Sequence, residues 1–139
     1  MNIVTWIVIV GAVAAFLLMK RLTRTSPAVA RQWLDKGALV IDVRSEAEFQ
    51  ERHLPDAINI PLGRLGDEIA RHAPNKQQPL LLHCRSGARS GIGTRALKKL
   101  GYSHVLNLGS YGSAENIVRA ANNEAGAAGG RTDPGRATP

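Results

Sequence analysis

Four short apolar segments, separated by stretches of helical spacing, constrain this chain most. Leu39 to Val43, Ala57 to Ile60, Pro79 to His83 and His104 to Leu108 have strand length and almost no polar alternation, the pattern of strands covered on both faces. Between them lie helix signals. Ser26-Pro27 offers an N-cap and a proline at the first position of a helix running from Ala28 to Lys36, and Gly37 ends it. Ser45 with Glu48 three residues on is a capping box, and Pro55 ends any helix there. Leu62, Leu65 and Ile69 predict a helix over 62–72, and Ile92, Ala96, Leu97 and Leu100 predict one from Ser90 to Leu100 before Gly101. Ser113 to Ala121 suits a final helix. Strands alternating with helices predict an α/β domain, a parallel sheet with helices on both faces.

In such sheets ligands gather at the carboxyl ends of the strands, and the only cysteine falls there. It stands in the run His83-Cys84-Arg85-Ser86-Gly87-Ala88-Arg89-Ser90, between a buried strand and a helix start. A thiol becomes a useful nucleophile when a helix N-terminus or guanidinium groups lower its pKa. Gly87 is free to adopt a positive φ and turn successive N–H groups inward as a nest for an anion. Such a nest suits a Cys84 thiolate, a persulfide on it, or an oxyanionic substrate, and Arg85 and Arg89 add positive charge. The plainer alternative, a cysteine serving as a small core hydrophobe, leaves the flanking arginines and the glycine turn without a purpose. His83 is adjacent in the strand, so it points to the opposite face and is no general base. Asp42 and Arg44 read as a structural pair tying loops together, and His53 as a structural hydrogen-bonding residue. One cysteine and scattered histidines give no metal-ligand spacing, so no metal or other cofactor is implied.

At 139 residues there is room for one ordinary domain. The run Ile3 to Met19 is apolar apart from Thr5 and Gly11, and its 17 residues span about 26 Å as a helix, close to the lower limit for crossing a bilayer. A transmembrane helix, a signal peptide and a buried helix are the options. No lysine or arginine precedes the run, against a secretory leader, while Lys20, Arg21 and Arg24 follow it. The expectation is a single-pass anchor in the inner (cytoplasmic) membrane over residues 1–24. Its lipid contact is at residues 3–19, and the catalytic domain faces the cytoplasm. An unpaired cysteine suits that reducing side. The net charge of +7 comes partly from this flank and partly from Arg131 and Arg136. With aromatics at 4%, no nucleic-acid surface is expected. Residues 122–139, rich in Gly, Ala, Thr and Pro without periodicity, read as a disordered tail.

The motifs Ile41-Asp42-Val43-Arg44, Glu48-Phe49, His53-Leu54, Ala57-Ile58-Asn59-Ile60-Pro61, the Cys84 loop and Leu106-Asn107-Leu108-Gly109 follow one another over residues 25–121. In that order they resemble a single-domain rhodanese. The resemblance implies a rhodanese-like fold and sulfane-sulfur transfer through a persulfide on Cys84. Arg85, Ser86, Gly87, Ala88 and Arg89 match the loop whose backbone cradles the sulfur. The chain departs from the family pattern at Arg52 and Asp56, where glycine is usual, and at Gly109-Ser110-Tyr111-Gly112, which is followed by no tryptophan.

Related cysteine phosphatases place five residues between cysteine and a phosphate-clamping arginine. Here four separate Cys84 from Arg89, and no aspartate stands in an obvious loop as a general acid. The spacing favours sulfur transfer from a small donor such as thiosulfate to a thiol or protein acceptor. A membrane-tethered sulfur-carrier or binding module with little turnover is the alternative from another class.

Overall fold

In a computed structural model, which describes residues 2–22 and 26–129, the four apolar segments form one sheet. Strands β1 (Leu39–Asp42), β2 (Ile58–Asn59), β3 (Leu80–His83) and β4 (Val105–Gly109) are all parallel, in the order β2-β1-β3-β4. The helices are α1 (Ile3–Leu22), α2 (Pro27–Asp35), α3 (Glu46–Glu51), α4 (Leu65–His72), α5 (Ala88–Lys99) and α6 (Tyr111–Gly129). The predicted helix over 62–72 begins with a 3-10 turn, Leu62–Arg64, and becomes α-helical at Leu65.

Alternation along the strands divides the core in two. Ile41, Leu80 and Leu82 face α4 and α5 and pack with Leu65, Ile69 and Leu97. Val40, Leu81 and Leu108 face α2 and α6 and pack with Ala30, Ala114, Ile117 and Val118. Leu80, Leu81 and Leu82 are fully buried, each worth about 1.5–3 kcal/mol against exposure. Helix α5 lies close to the sheet because Gly93 has no side chain. A Cβ there would stand 2.9 Å from a Leu65 methyl and 3.0 Å from a Leu82 methyl.

The central strands β1 and β3 end where the chain's order of strands reverses, the place at which open α/β sheets form their crevices. The pairing of β3 with β4 carries a bulge there, with Leu82 opposite Asn107 but His83 opposite Gly109. The capping box of α3 forms as expected: Ser45 Oγ accepts the Glu48 N–H, and the Glu48 carboxylate accepts the Ser45 N–H.

Two expectations change. The apolar run is helical, and residues 3–19 are exposed. However, no helix among the described residues is long and apolar enough to cross a membrane. The expected span and its lipid contact over residues 3–19 are therefore not supported: the run ends at Met19, short of the roughly 30 Å hydrocarbon layer. The inferred inner-membrane placement and cytoplasmic orientation lose that footing, and the side chains of Lys20, Arg21 and Arg24 lie outside the described residues. At the other end, α6 runs to Gly129, through part of what reads as a tail. In that part Ala125 and Ala127 favour helix by intrinsic propensity but are exposed, so no periodicity marks them. Residues 130–139, with Arg131 and Arg136, lie outside the described residues.

Candidate active site

Cys84 follows β3 directly and is 1% exposed. Its N–H donates to Gly109 O at 3.2 Å, tying the loop to the end of β4. Gly87 then takes φ +96°, as its position in the turn predicts, and α5 starts at Ala88. The Gly87 N–H donates to Cys84 Sγ at 3.0 Å, the N–H groups of Ser86 and Ser90 are also directed at the sulfur, and Ser90 Oγ lies 3.4 Å from it. Burial pushes the Cys84 thiol up, but these hydrogen bonds outweigh burial and its pKa is lowered. The nest expected from the sequence is present, at the N-terminus of a twelve-residue helix.

Of the loop residues, Ser86 forms an isolated bridge with Ser110, and Ala88 is exposed in the first turn of α5. The two arginines part company. Arg85 is exposed, and among the described residues its side chain has no hydrogen bond or ion pair. Arg89 is gripped from both sides of its fork by Glu48, Nη1 to Oε2 at 2.7 Å and Nη2 to Oε1 at 2.9 Å. Glu48 in turn is held at about 2 by the Arg89 hydrogen bond and the Ser45 backbone. Only Arg85 therefore stands as an uncompensated cation at the loop.

Asp42 and Arg44 lie across the sheet from the sulfur. Asp42 accepts the Arg44 N–H at 2.9 Å and Nη2 at 2.6 Å, while Arg44 Nη2 also donates to Arg52 O. Asn59 Nδ2 donates to the carbonyls of both residues, so the pair knots the ends of β1, α3 and β2. His83 is fully buried beside them. Among the described residues neither ring nitrogen has a hydrogen-bond partner, Asp42 Oδ2 is 3.8 Å from Nε2, and the ring meets Tyr111 edge-on at 5.8 Å. Burial lowers its pKa, against the pull of Asp42, so the ring is neutral. His53 Nδ1 lies 2.9 Å from Phe49 O, a local contact.

Three residues were not singled out by the sequence for their roles here: Ser90 at the sulfur, Asn107 behind Ser90, and Glu48 on Arg89. Asn107 Oδ1 accepts from Ser90 Oγ at 2.7 Å and from the Gly109 N–H at 2.9 Å, and its Nδ2 donates to Gly87 O at 3.1 Å. Its signals were its place in the Leu106-Asn107-Leu108-Gly109 motif and its polarity in the otherwise apolar β4. Among the described residues no cluster suited to a metal ion occurs.

A model of the rhodanese-like domain matches residues 26–113. The chain belongs to that family. It is 39% identical over 69 residues to thiosulfate sulfurtransferase PspE of Escherichia coli, covering 50% of this chain and 66% of that one. Thiosulfate sulfurtransferase GlpE of Pseudomonas savastanoi is 30% identical over 90 residues, 65% of this chain and 83% of that one. The chain thus spans no more than about two thirds of PspE, and 39% of YrkF of Bacillus subtilis. Among solved structures, a rhodanese with anions from E. coli superposes with TM-score 0.53 at 36% identity, over 55% of this chain and 89% of that one. The human single-domain sulfurtransferase TSTD1 gives 0.56 at 27%, over 70% and 96%.

As a rhodanese-like domain, this chain departs from the family pattern at places that the structure explains. Asp56, where glycine is usual, has φ +59°, a left-handed conformation that aspartate tolerates and glycine prefers. Arg52 and Tyr111 are neighbours: the Arg52 and Arg44 guanidiniums lie 4.6 and 4.8 Å from the Tyr111 ring centre, and Arg52 pairs with Glu115 at 2.7 Å.

Proposed function

We propose that this domain is a thiosulfate sulfurtransferase-like enzyme working through a persulfide on Cys84. The observation that carries the reading is the sulfur itself, buried yet facing three N–H groups at a helix N-terminus. The Cys84 thiolate attacks the outer sulfur of thiosulfate. The S–S bond of the donor breaks, and sulfite leaves with the electron pair. The persulfide anion then rests its charge against the loop N–H groups. A second nucleophile, a thiol or a protein thiolate, attacks the outer sulfur and returns Cys84 as thiolate. Arg85 is the side chain free to draw in the dianionic donor. Arg89, neutralised by Glu48, shapes the loop and is not placed to clamp a phosphoryl group, which counts against a cysteine phosphatase. A reduced, unpaired thiol suits a compartment that keeps thiols reduced.

Mass spectrometry of the purified chain after thiosulfate treatment is expected to find one added sulfur atom on Cys84, and Cys84→Ser to lose both that mass and thiosulfate:cyanide transfer. An inert thiol in the folded protein leaves the carrier or binding module ahead, and turnover of an aryl phosphate revives the phosphatase.

A further inference from the structure

Ser90 has one hydroxyl proton and three acceptors within reach: Asn107 Oδ1 at 2.7 Å, Gly87 O at 3.2 Å and Cys84 Sγ at 3.4 Å. Gly87 O is already supplied by the Gly91 N–H at 3.0 Å and by Asn107 Nδ2 at 3.1 Å. The Asn107 amide cannot be turned over. Its oxygen must accept the Gly109 N–H, and its nitrogen must donate to the Gly87 carbonyl. The atom facing Ser90 is therefore an acceptor, and at 2.7 Å it takes the Ser90 proton. In that state the Ser90 oxygen turns a lone pair to the sulfur, which suits a thiol S–H and disfavours a thiolate. For Ser90 to support the thiolate, its O–H must rotate away from Asn107.

We propose that Asn107 and Cys84 compete for the single Ser90 proton, so that Asn107 is a positioning residue governing how readily Cys84 ionises. The hydroxyl follows the charge. With a thiolate it turns to Sγ. When the charge moves out to the terminal sulfur of a persulfide, Sγ is neutral and the proton returns to Asn107. The inference deepens the reading of Cys84 as the working thiolate. The other charged groups around the sulfur are Arg89 on α5, Glu48 on α3 and Arg85 on the loop, with Asp42, Arg44 and His83 across the sheet. The side chains of β4 carry no titratable group, so substitution at Asn107 leaves the charges unchanged.

The chain's only cysteine makes the test direct: the rate of Cys84 alkylation by iodoacetamide against pH, in the full chain, reports its ionisation whether or not sulfur is transferred. Asn107→Ala is expected to lower the inflection, raising the thiolate fraction at a fixed pH below it by about three- to tenfold. In a Ser90→Ala background the same substitution is expected to leave the inflection in place. An unchanged or raised inflection in Asn107→Ala, or an equal shift with and without Ser90, overturns the proposal. If circular dichroism finds Asn107→Ala unfolded, Ser90→Ala alone decides. A contested proton predicts a loss of thiolate fraction below about tenfold, and a larger loss marks an uncontested donor and overturns it. Failure of persulfide formation on thiosulfate treatment would instead strike the functional reading and leave this profile interpretable.

Discussion

Cys84 and His83 are chain neighbours at the end of β3, and both are buried, yet the two faces of the sheet treat them in opposite ways. On the α5 face, N–H groups and a hydroxyl surround the Cys84 sulfur. On the α6 face, Asp42 and Arg44 satisfy one another and Arg44 also donates to the Arg52 carbonyl, while among the described residues the His83 ring nitrogens have no hydrogen bond. One face turns its polarity towards the sulfur. The other cancels its polarity internally and holds β1, α3 and β2 in place. Proximity to the reactive atom is thus a poor guide to participation, and donor direction is a better one.

The sharpest way to break this contrast is Asp42→Ala. It leaves Arg44 buried without its partner, and a loss of about 3–5 kcal/mol is expected in urea unfolding; a loss under about 1 kcal/mol would show that the frame does not depend on the pair. Glu48→Gln tests whether Arg89 belongs to the frame. Glu48 is held at about 2, below its ordinary 4.5, so its pair with Arg89 adds stability above about pH 4.5 and loses it as pH falls towards 2. Thermal melts of the wild type and Glu48→Gln should differ by about 1 kcal/mol near neutrality and converge near pH 2; a gap that persists there contradicts the pairing. His83→Leu removes a buried ring that makes no hydrogen bond. Its stability change should stay within about 1 kcal/mol, with sulfur transfer retained; lost transfer in a folded variant would give His83 a part in the chemistry. Asp56→Gly relieves a left-handed aspartate, and a gain of about 0.5 kcal/mol is expected, read as a rise in Tm of a few degrees.

What the sequence made legible was local. Strands, caps and the Gly87 turn each depend on a few consecutive residues, and Ser45 with Glu48 formed the box that their spacing predicts. The Glu48–Arg89 clamp joins residues 41 positions apart, and nothing in either motif announces the other. Charge at the loop was therefore overcounted, with Arg89 read as free. Asn107 was visible as a polar residue in an apolar strand, but its partners depended on the bulge that shifts β4 against β3. The helix of residues 3–19 was legible as a helix, whereas its relation to a membrane rested on a length at the margin.

At Gly87 an added Cβ would lie 3.1 Å from Gly109 Cα, and both glycines have positive φ. The clearance at Gly87 is therefore set by the backbone of β4 itself, which no smaller residue at position 109 can widen, whereas a Cβ at Gly109 would meet only Ser113 at 3.9 Å. In a saturation-mutagenesis map both positions should resist substitution, Gly87 for want of room as well as for its positive φ, and Gly109 for its positive φ. An engineer who wants a wider pocket for a bulkier sulfur donor will have to move the backbone of β4.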